Sequence, residues 1–201
     1  MPSSTNDRQR PYALKVLIAG GFGVGKTTLV SSCSELLPLR TEEYITSASI
    51  GTDDLDGVEE KRTTTVVMDF GRIRINDDVV VYLFGTPGQD RFWFLWDELA
   101  LGALGAVVMA DTRRLADCFP SLDYFERRGT PFVVAVNCFF GEQRHSVEKV
   151  RDALDLDPAV PVVLCDARER ESSKQVLVTL MQHVQARVRL PAGSDALSPV
   201  D

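Results

Sequence analysis

The sequence predicts an α/β chain: a mostly parallel sheet of six strands, one of them antiparallel at an edge, with helices on both faces. Short apolar runs alternate with segments of helical period, a glycine-rich turn follows the first run, and the composition is globular, with 201 residues, 44% of them apolar and 25% charged. That length fits one domain with its own core, expected over 12–190 between mobile tails at 1–11 and 191–201.

In chain order, 13–19, 66–75, 79–84, 106–110, 132–136 and 160–165 read as strands, rich in β-branched residues. Helical period marks 26–37, 92–101, 113–128, 146–154 and 172–189. Strands separated by helices require parallel crossovers and a sheet covered on both faces. The runs 66–75 and 79–84 are different, because Asn76, Asp77 and Asp78 alone separate them. They read as a hairpin, which supplies the antiparallel strand.

Charge and cysteine usage exclude several classes. The net charge is −7 and no Lys/Arg cluster occurs, so the electrostatic footprint of nucleic-acid binding is missing. Cys33, Cys118, Cys138 and Cys165 are widely spaced and form no C-x-x-C pair, which points away from zinc and disulfides and toward a reducing cytoplasm. The first residues lack the layout of a signal peptide and Gly at position 2 for acylation. The most apolar stretch, 92–110, is broken by Asp97 and Glu98, so no direct membrane insertion is expected. Any recruitment to a membrane falls to partners.

After the first strand comes Gly20, Gly21, Phe22, Gly23, Val24, Gly25, Lys26, Thr27, which fits G-x-x-x-x-G-K-[ST] between a strand and a helix. Glycines let successive N–H groups wrap a phosphate chain, and the helix N-terminus adds positive potential. The expected nucleotide contacts are Gly20, Gly23, Val24, Gly25, Lys26 on the outer phosphates, Thr27, which also ligates Mg2+, and Thr28.

The order of phosphate loop, long polar segment, hairpin, Gly-Gln turn and strand-end Asn resembles the Ras-like small GTPases across nearly the whole body. Within them the chain is similar to a bacterial branch, the GTPase-like component of actinobacterial conservon operons, related to the gliding-motility polarity GTPase. The run 82–92, Tyr-Leu-Phe-Gly-Thr-Pro-Gly-Gln-Asp-Arg-Phe, carries most of that resemblance. It implies a switch that binds GTP and GDP with Mg2+, hydrolyses GTP slowly, and works with a Roadblock-type regulatory protein and a membrane sensor-kinase-like protein.

Compared box by box with that family, the chain departs in several places. The segment 38–64 is too long for an ordinary connection and reads as the first switch. The resemblance assigns Thr65 to Mg2+ and the terminal phosphate, with Thr63 or Thr64 as alternatives. The third-strand Asp of D-x-x-G is replaced by Gly85, so Mg2+ must draw on Thr27, phosphate, water and Asp69 from the adjacent strand. Gly88 is kept for the terminal phosphate, and Gln89 follows as the residue that orients the attacking water. Phe22 crowds that glutamine, and Arg62 is a loop arginine within reach of a role in cis.

Four aromatics in 92–96 exceed what one buried helical stripe can hold, so at least one is expected outward as a partner anchor. In the guanine box only Asn137 survives, and Phe140 stands where the base-reading carboxylate belongs. Ala167 N–H and the Arg168 stem remain to meet the base. Guanine preference is therefore expected to be weak unless Asp166 or Glu142 supplies the acceptor. Phe22, Gly85 and Phe140 together also support a second reading, a degenerate GTPase-like scaffold that acts by protein–protein contact.

Overall fold

The computed structural model describes residues 11–36, 39–45, 64–88, 94–141 and 145–189. β1 (Tyr12–Gly20) leads through the glycine-rich turn into α1 (Lys26–Cys33), followed by β2 (Leu39–Ile45), β3 (Thr64–Arg74) and β4 (Val79–Gly85). Then come α2 (Phe94–Ala100), β5 (Gly105–Ala110), α3 (Phe119–Arg128), β6 (Phe132–Asn137), α4 (Val147–Ala153), β7 (Val162–Cys165) and α5 (Arg170–Arg189). Short 3-10 turns precede α3 at Leu115–Cys118 and follow β6 at Phe139–Gly141.

One sheet holds the strands in the order β2-β3-β4-β1-β5-β6-β7. Every strand expected from the sequence is present, and the hairpin 66–84 forms as β3 against β4. The expectation of six strands is corrected by β2, which pairs antiparallel with β3 from Leu39↔Phe70 to Ile45↔Thr64. The lone antiparallel strand, β3, is thus second from the edge. The sequence Leu-Arg-Thr-Glu-Glu-Tyr-Ile has no apolar run to announce a strand. Edge strands are often polar, because solvent covers one side of them.

The period-2 alternation of the central strands divides the core. Val16 and Ile18 of β1, Val107 and Met109 of β5, and Val133 and Ala135 of β6 pack with Leu29, Val30 and Cys33 of α1 and with Val176, Leu177, Leu180 and Val184 of α5. The residues between them, Leu17, Ala19, Ala106, Val108, Val134 and Val136, face Trp96 of α2, Leu122 and Phe125 of α3, and Val150 of α4. Burying a large aliphatic or aromatic side chain contributes ~1.5–3 kcal/mol, so these two layers hold the strand ends rigidly in place. At the C-terminal ends of β1, β4, β5, β6 and β7 the chain turns into the segments that form the site. In open α/β sheets, ligands bind at that edge.

Candidate nucleotide-binding site

Strain in the turn after β1 is local and has a visible cause. Gly25 caps α1 at φ +108°, and a Cβ there would come 2.6 Å from Asn137 Nδ2. Only glycine satisfies both conditions. The Asn137 amide uses that space to donate to Val24 O at 2.9 Å and to accept from Ala167 N at 3.1 Å. One buried side chain therefore ties the turn after β1, the end of β6 and the loop after β7 together. Ala167 N–H, expected to meet a base, is held instead by Asn137.

Lys26 is buried at the start of α1, and its ammonium donates to Gly20 O at 2.9 Å and Gly21 O at 2.8 Å. Burial pulls its pKa down to about 8, with partial opposition from the nearby Asp69 carboxylate. Gly88 sits beside the same ammonium. The group is a cation taken largely out of water, a state that a bound anion relieves.

Thr27, the next residue, donates its hydroxyl to Asp69 Oδ2 at 2.6 Å. The β3–β4 register Phe70↔Phe84 brings Asp69 over Gly85, where an added Cβ would stand 2.9 Å from Asp69 Cβ and 3.0 Å from Oδ2. The carboxylate missing at position 85 is thus present in space, contributed by the neighbouring strand. Mg2+ requires hard oxygen ligands and keeps several waters, and Thr27 with Asp69 offers such a pair. Among the described residues no cluster of three or more His, Cys, Asp or Glu forms a metal cage. Phosphate and water would have to complete the shell.

The other expected residues are placed as follows. Thr28 lies in the first turn of α1, and Thr65 lies in β3 in register with Tyr44. Gln89, Arg62 and Glu142 fall outside the described residues. Phe22 is 66% exposed at the crest of the turn, and its carbonyl accepts from Arg114, which is also paired with Asp117 at 3.0 Å. Sequence reasoning missed Arg114, because only the 3-10 turn after β5 brings it there.

Around the loop after β6 the structure repeats one device. At the end of β5, Arg113 forks onto Asp111, with Nε–Oδ1 at 2.9 Å and an Nη2–Oδ2 distance of 2.7 Å, and covers the Phe139 ring at 4.0 Å. At the end of β7, Arg168 forks onto Asp166 at 3.0 and 2.6 Å and covers the Phe140 ring at 4.9 Å. The sequence signal was the repeated Asp-x-Arg at two strand ends. Each arginine holds its carboxyl below the usual carboxylate range, through charge-assisted hydrogen bonds.

α2 splits the aromatic run. Trp96 is buried, donates Nε1–H to Pro87 O at 3.3 Å, and packs edge-on against Tyr124, whereas Phe94 is 58% exposed. Phe92 and Trp93 lie outside the described residues.

A seven-stranded sheet with a phosphate-type loop at the β1–α1 junction, a buried lysine and a tethering asparagine defines a nucleotide-binding fold of the P-loop GTPase type. The chain belongs to the family described as "conserved hypothetical ATP binding protein", which it matches over residues 18–187. It is 34% identical over 101 residues to an uncharacterised protein of Methanocaldococcus jannaschii, a match covering 50% of this chain and 53% of that protein. The chain thus spans about half the length of that curated relative.

In fold it is similar to the G domain of the Thermotoga maritima FeoB iron transporter, with a TM-score of 0.60, 17% identity and coverage of 87% of this chain and all of that one. The cytosolic domain of the same transporter in its apo form gives a TM-score of 0.61 at 16% identity, covering 87% of this chain and 65% of that one. The FeoB G domain from Methanococcus jannaschii gives 0.56 at 14%, covering 86% and 98%. No helix of the described residues is long and apolar enough to cross a membrane.

Proposed function

We propose that this protein is a nucleotide-dependent molecular switch that binds GTP and GDP with Mg2+ and hydrolyses GTP slowly. The observation that carries the reading is the Lys26 ammonium, buried against two loop carbonyls with Gly88 beside it. A buried cation is costly unless a partner compensates it, and a phosphate chain wrapped by the same loop is such a partner.

Thr27 and Asp69 would hold Mg2+, which would neutralise charge on the outer phosphates. Thr65, Gly88 and Gln89 keep the roles the Ras-like resemblance gives them: two contacts to the terminal phosphate and one residue to orient water. Slow turnover follows from Phe22 at the crest of the loop. The family description names ATP, an adenine nucleotide, so it supports a nucleoside triphosphate at this loop and not guanine in particular. The FeoB domain has been solved in GDP forms, which supports guanine.

Signalling through a Roadblock-type protein and a sensor-kinase-like membrane protein, with recruitment to the membrane by those partners from a cytoplasmic pool, is part of the same reading and rests on the resemblance. A second reading, a scaffold that holds nucleotide statically, is favoured by the two exposed rings Phe22 and Phe140. Mass analysis of the nucleotide that copurifies, followed by single-turnover hydrolysis with Mg2+, separates the two. A guanine nucleotide with measurable turnover supports the switch. Bound nucleotide without turnover supports the scaffold.

A further inference from the structure

At the base end of the site one arginine links a carboxylate to the phenylalanine that stands in the guanine box. The pair Asn137↔Cys165 and the bond from Cys138 N to Cys165 O at 2.7 Å set the ends of β6 and β7 side by side, so that Asp166 begins its loop next to Cys138. From there Arg168 reaches both ways. Its guanidinium binds both oxygens of Asp166 and covers the Phe140 ring.

The frame beneath is fixed: Asp166 N donates to Ser172 Oγ at 2.9 Å, and the next residue, Ala167, donates to the Asn137 amide that also holds Val24 of the phosphate loop. Phe140 adds an independent observation. It holds φ +59°, a left-handed conformation costly for a bulky residue, while its ring is 78% exposed. A strained backbone that presents an exposed ring beside a clamped carboxylate is a surface built to receive a flat ligand.

We infer that Asp166 is the acceptor that reads guanine, with Arg168 fixing the carboxylate and Phe140 serving as a stacking face in place of the absent acid. This rests on the reading of the site as a nucleotide site. A carboxylate has about four lone-pair positions. Oδ1 takes Arg168 N and Nε, and Oδ2 takes Arg168 Nη2; one position on Oδ2 is open to the first guanine donor, and the second guanine donor takes the place of one of the two Arg168 bonds on Oδ1. Guanine presents N1–H and the 2-amino group as adjacent donors. Hypoxanthine keeps only the first, xanthine puts an acceptor oxygen in place of the second, and adenine turns its ring N1 acceptor toward the carboxylate. The order of affinity is therefore GDP, then IDP, then ADP and XDP, because a site built to bond a group rejects the analogue that lacks it.

The experiment is calorimetric titration of the full chain with GDP, IDP, XDP and ADP in Mg2+, for the parent and for Asp166→Asn. The parent is expected to bind GDP about tenfold more tightly than IDP and about a hundredfold more tightly than ADP. In Asp166→Asn, GDP should weaken about 10- to 100-fold and XDP should gain, since the amide offers a donor to the xanthine oxygen. A variant that keeps the parent's order overturns the inference. So does a parent that binds GDP and IDP equally, a result that needs no variant to fold. A folded parent that binds none of the four overturns the nucleotide reading itself, a distinct failure.

Discussion

Thr27 and Asp69, 42 positions apart in sequence, meet through a 2.6 Å hydrogen bond, and the carboxylate stands in the space that Gly85 leaves open. The two strands have exchanged duties: β4 supplies room and β3 supplies charge. Asp69→Asn keeps the volume and removes the charge, so the gain in GTP affinity on adding Mg2+ should fall about 10- to 100-fold, or ~1.5–3 kcal/mol. Titrations in Mg2+ and in EDTA measure that gain. The exchange Asp69→Gly with Gly85→Asp should recover most of it, whereas Gly85→Asp alone forces two carboxylates into one space. Equal Mg2+ dependence in parent and Asp69→Asn would remove Asp69 from the metal shell.

Lys26 gives the binding reaction a pH signature. In the free protein its pKa is pulled down to about 8, and a bound phosphate chain raises it again. Below that pH the lysine is charged in both states and affinity is flat. Above it the free protein loses the proton that the complex must take up, so affinity falls by up to tenfold per pH unit. Phosphate ionises with a pKa of ~6 and contributes nothing to this limb. Lys26→Ala should bind roughly 10- to 100-fold more weakly and show no such limb. A parent affinity that is flat to pH 9.5 would contradict the assignment.

Hydrolysis should respond to the crest of the phosphate loop. Phe22 is exposed on the turn after β1, its neighbour Gly21 lies against Gly88, and its carbonyl is pinned by Arg114. Phe22→Gly should speed single-turnover hydrolysis if crowding limits the glutamine, and Gln89→Leu should abolish turnover. Positioning effects of this kind reach 10²-fold for displacements on the order of 1 Å. A Gln89→Leu rate equal to the parent's would dismiss the mechanism.

How much of this could be read in the sequence depends on the range of the interaction. The phosphate loop was legible because its chemistry is local: four glycines, a lysine and a threonine within eight positions between a strand and a helix. The buried strands were legible because burial forces continuous apolar runs. β2 was not, since its pairing with β3 is made by backbone groups of a polar segment. Asp69 was legible only as a possible substitute, because its position over Gly85 depends on hairpin register, and a one-residue slip would turn it to the other face. Arg114 at Phe22 and the Arg168 fork between Asp166 and Phe140 depend on loop geometry that no periodicity encodes.

The aromatic run at α2 tests the division between core and partner surface. Trp96 is 2% exposed, contacts Tyr124 and Phe125, and bonds Pro87 O, so it anchors the segment after β4 to the core. Trp96→Ala should cost ~3–5 kcal/mol of stability, read as a lower denaturant midpoint, because a large cavity opens and an acceptor loses its donor. Phe94, 58% exposed two positions earlier, has little packing to lose, and Phe94→Ala should change stability by less than about 0.5 kcal/mol. If this face is where a Roadblock-type protein docks, the same substitution should weaken that complex by ~1–2 kcal/mol while nucleotide affinity stays constant. Stability by denaturant titration, nucleotide affinity by calorimetry and partner affinity by sedimentation, measured on both variants, resolve the two roles. Full partner affinity in Phe94→Ala would place the docking surface elsewhere, and a Phe94→Ala variant as unstable as Trp96→Ala would assign both rings to the core.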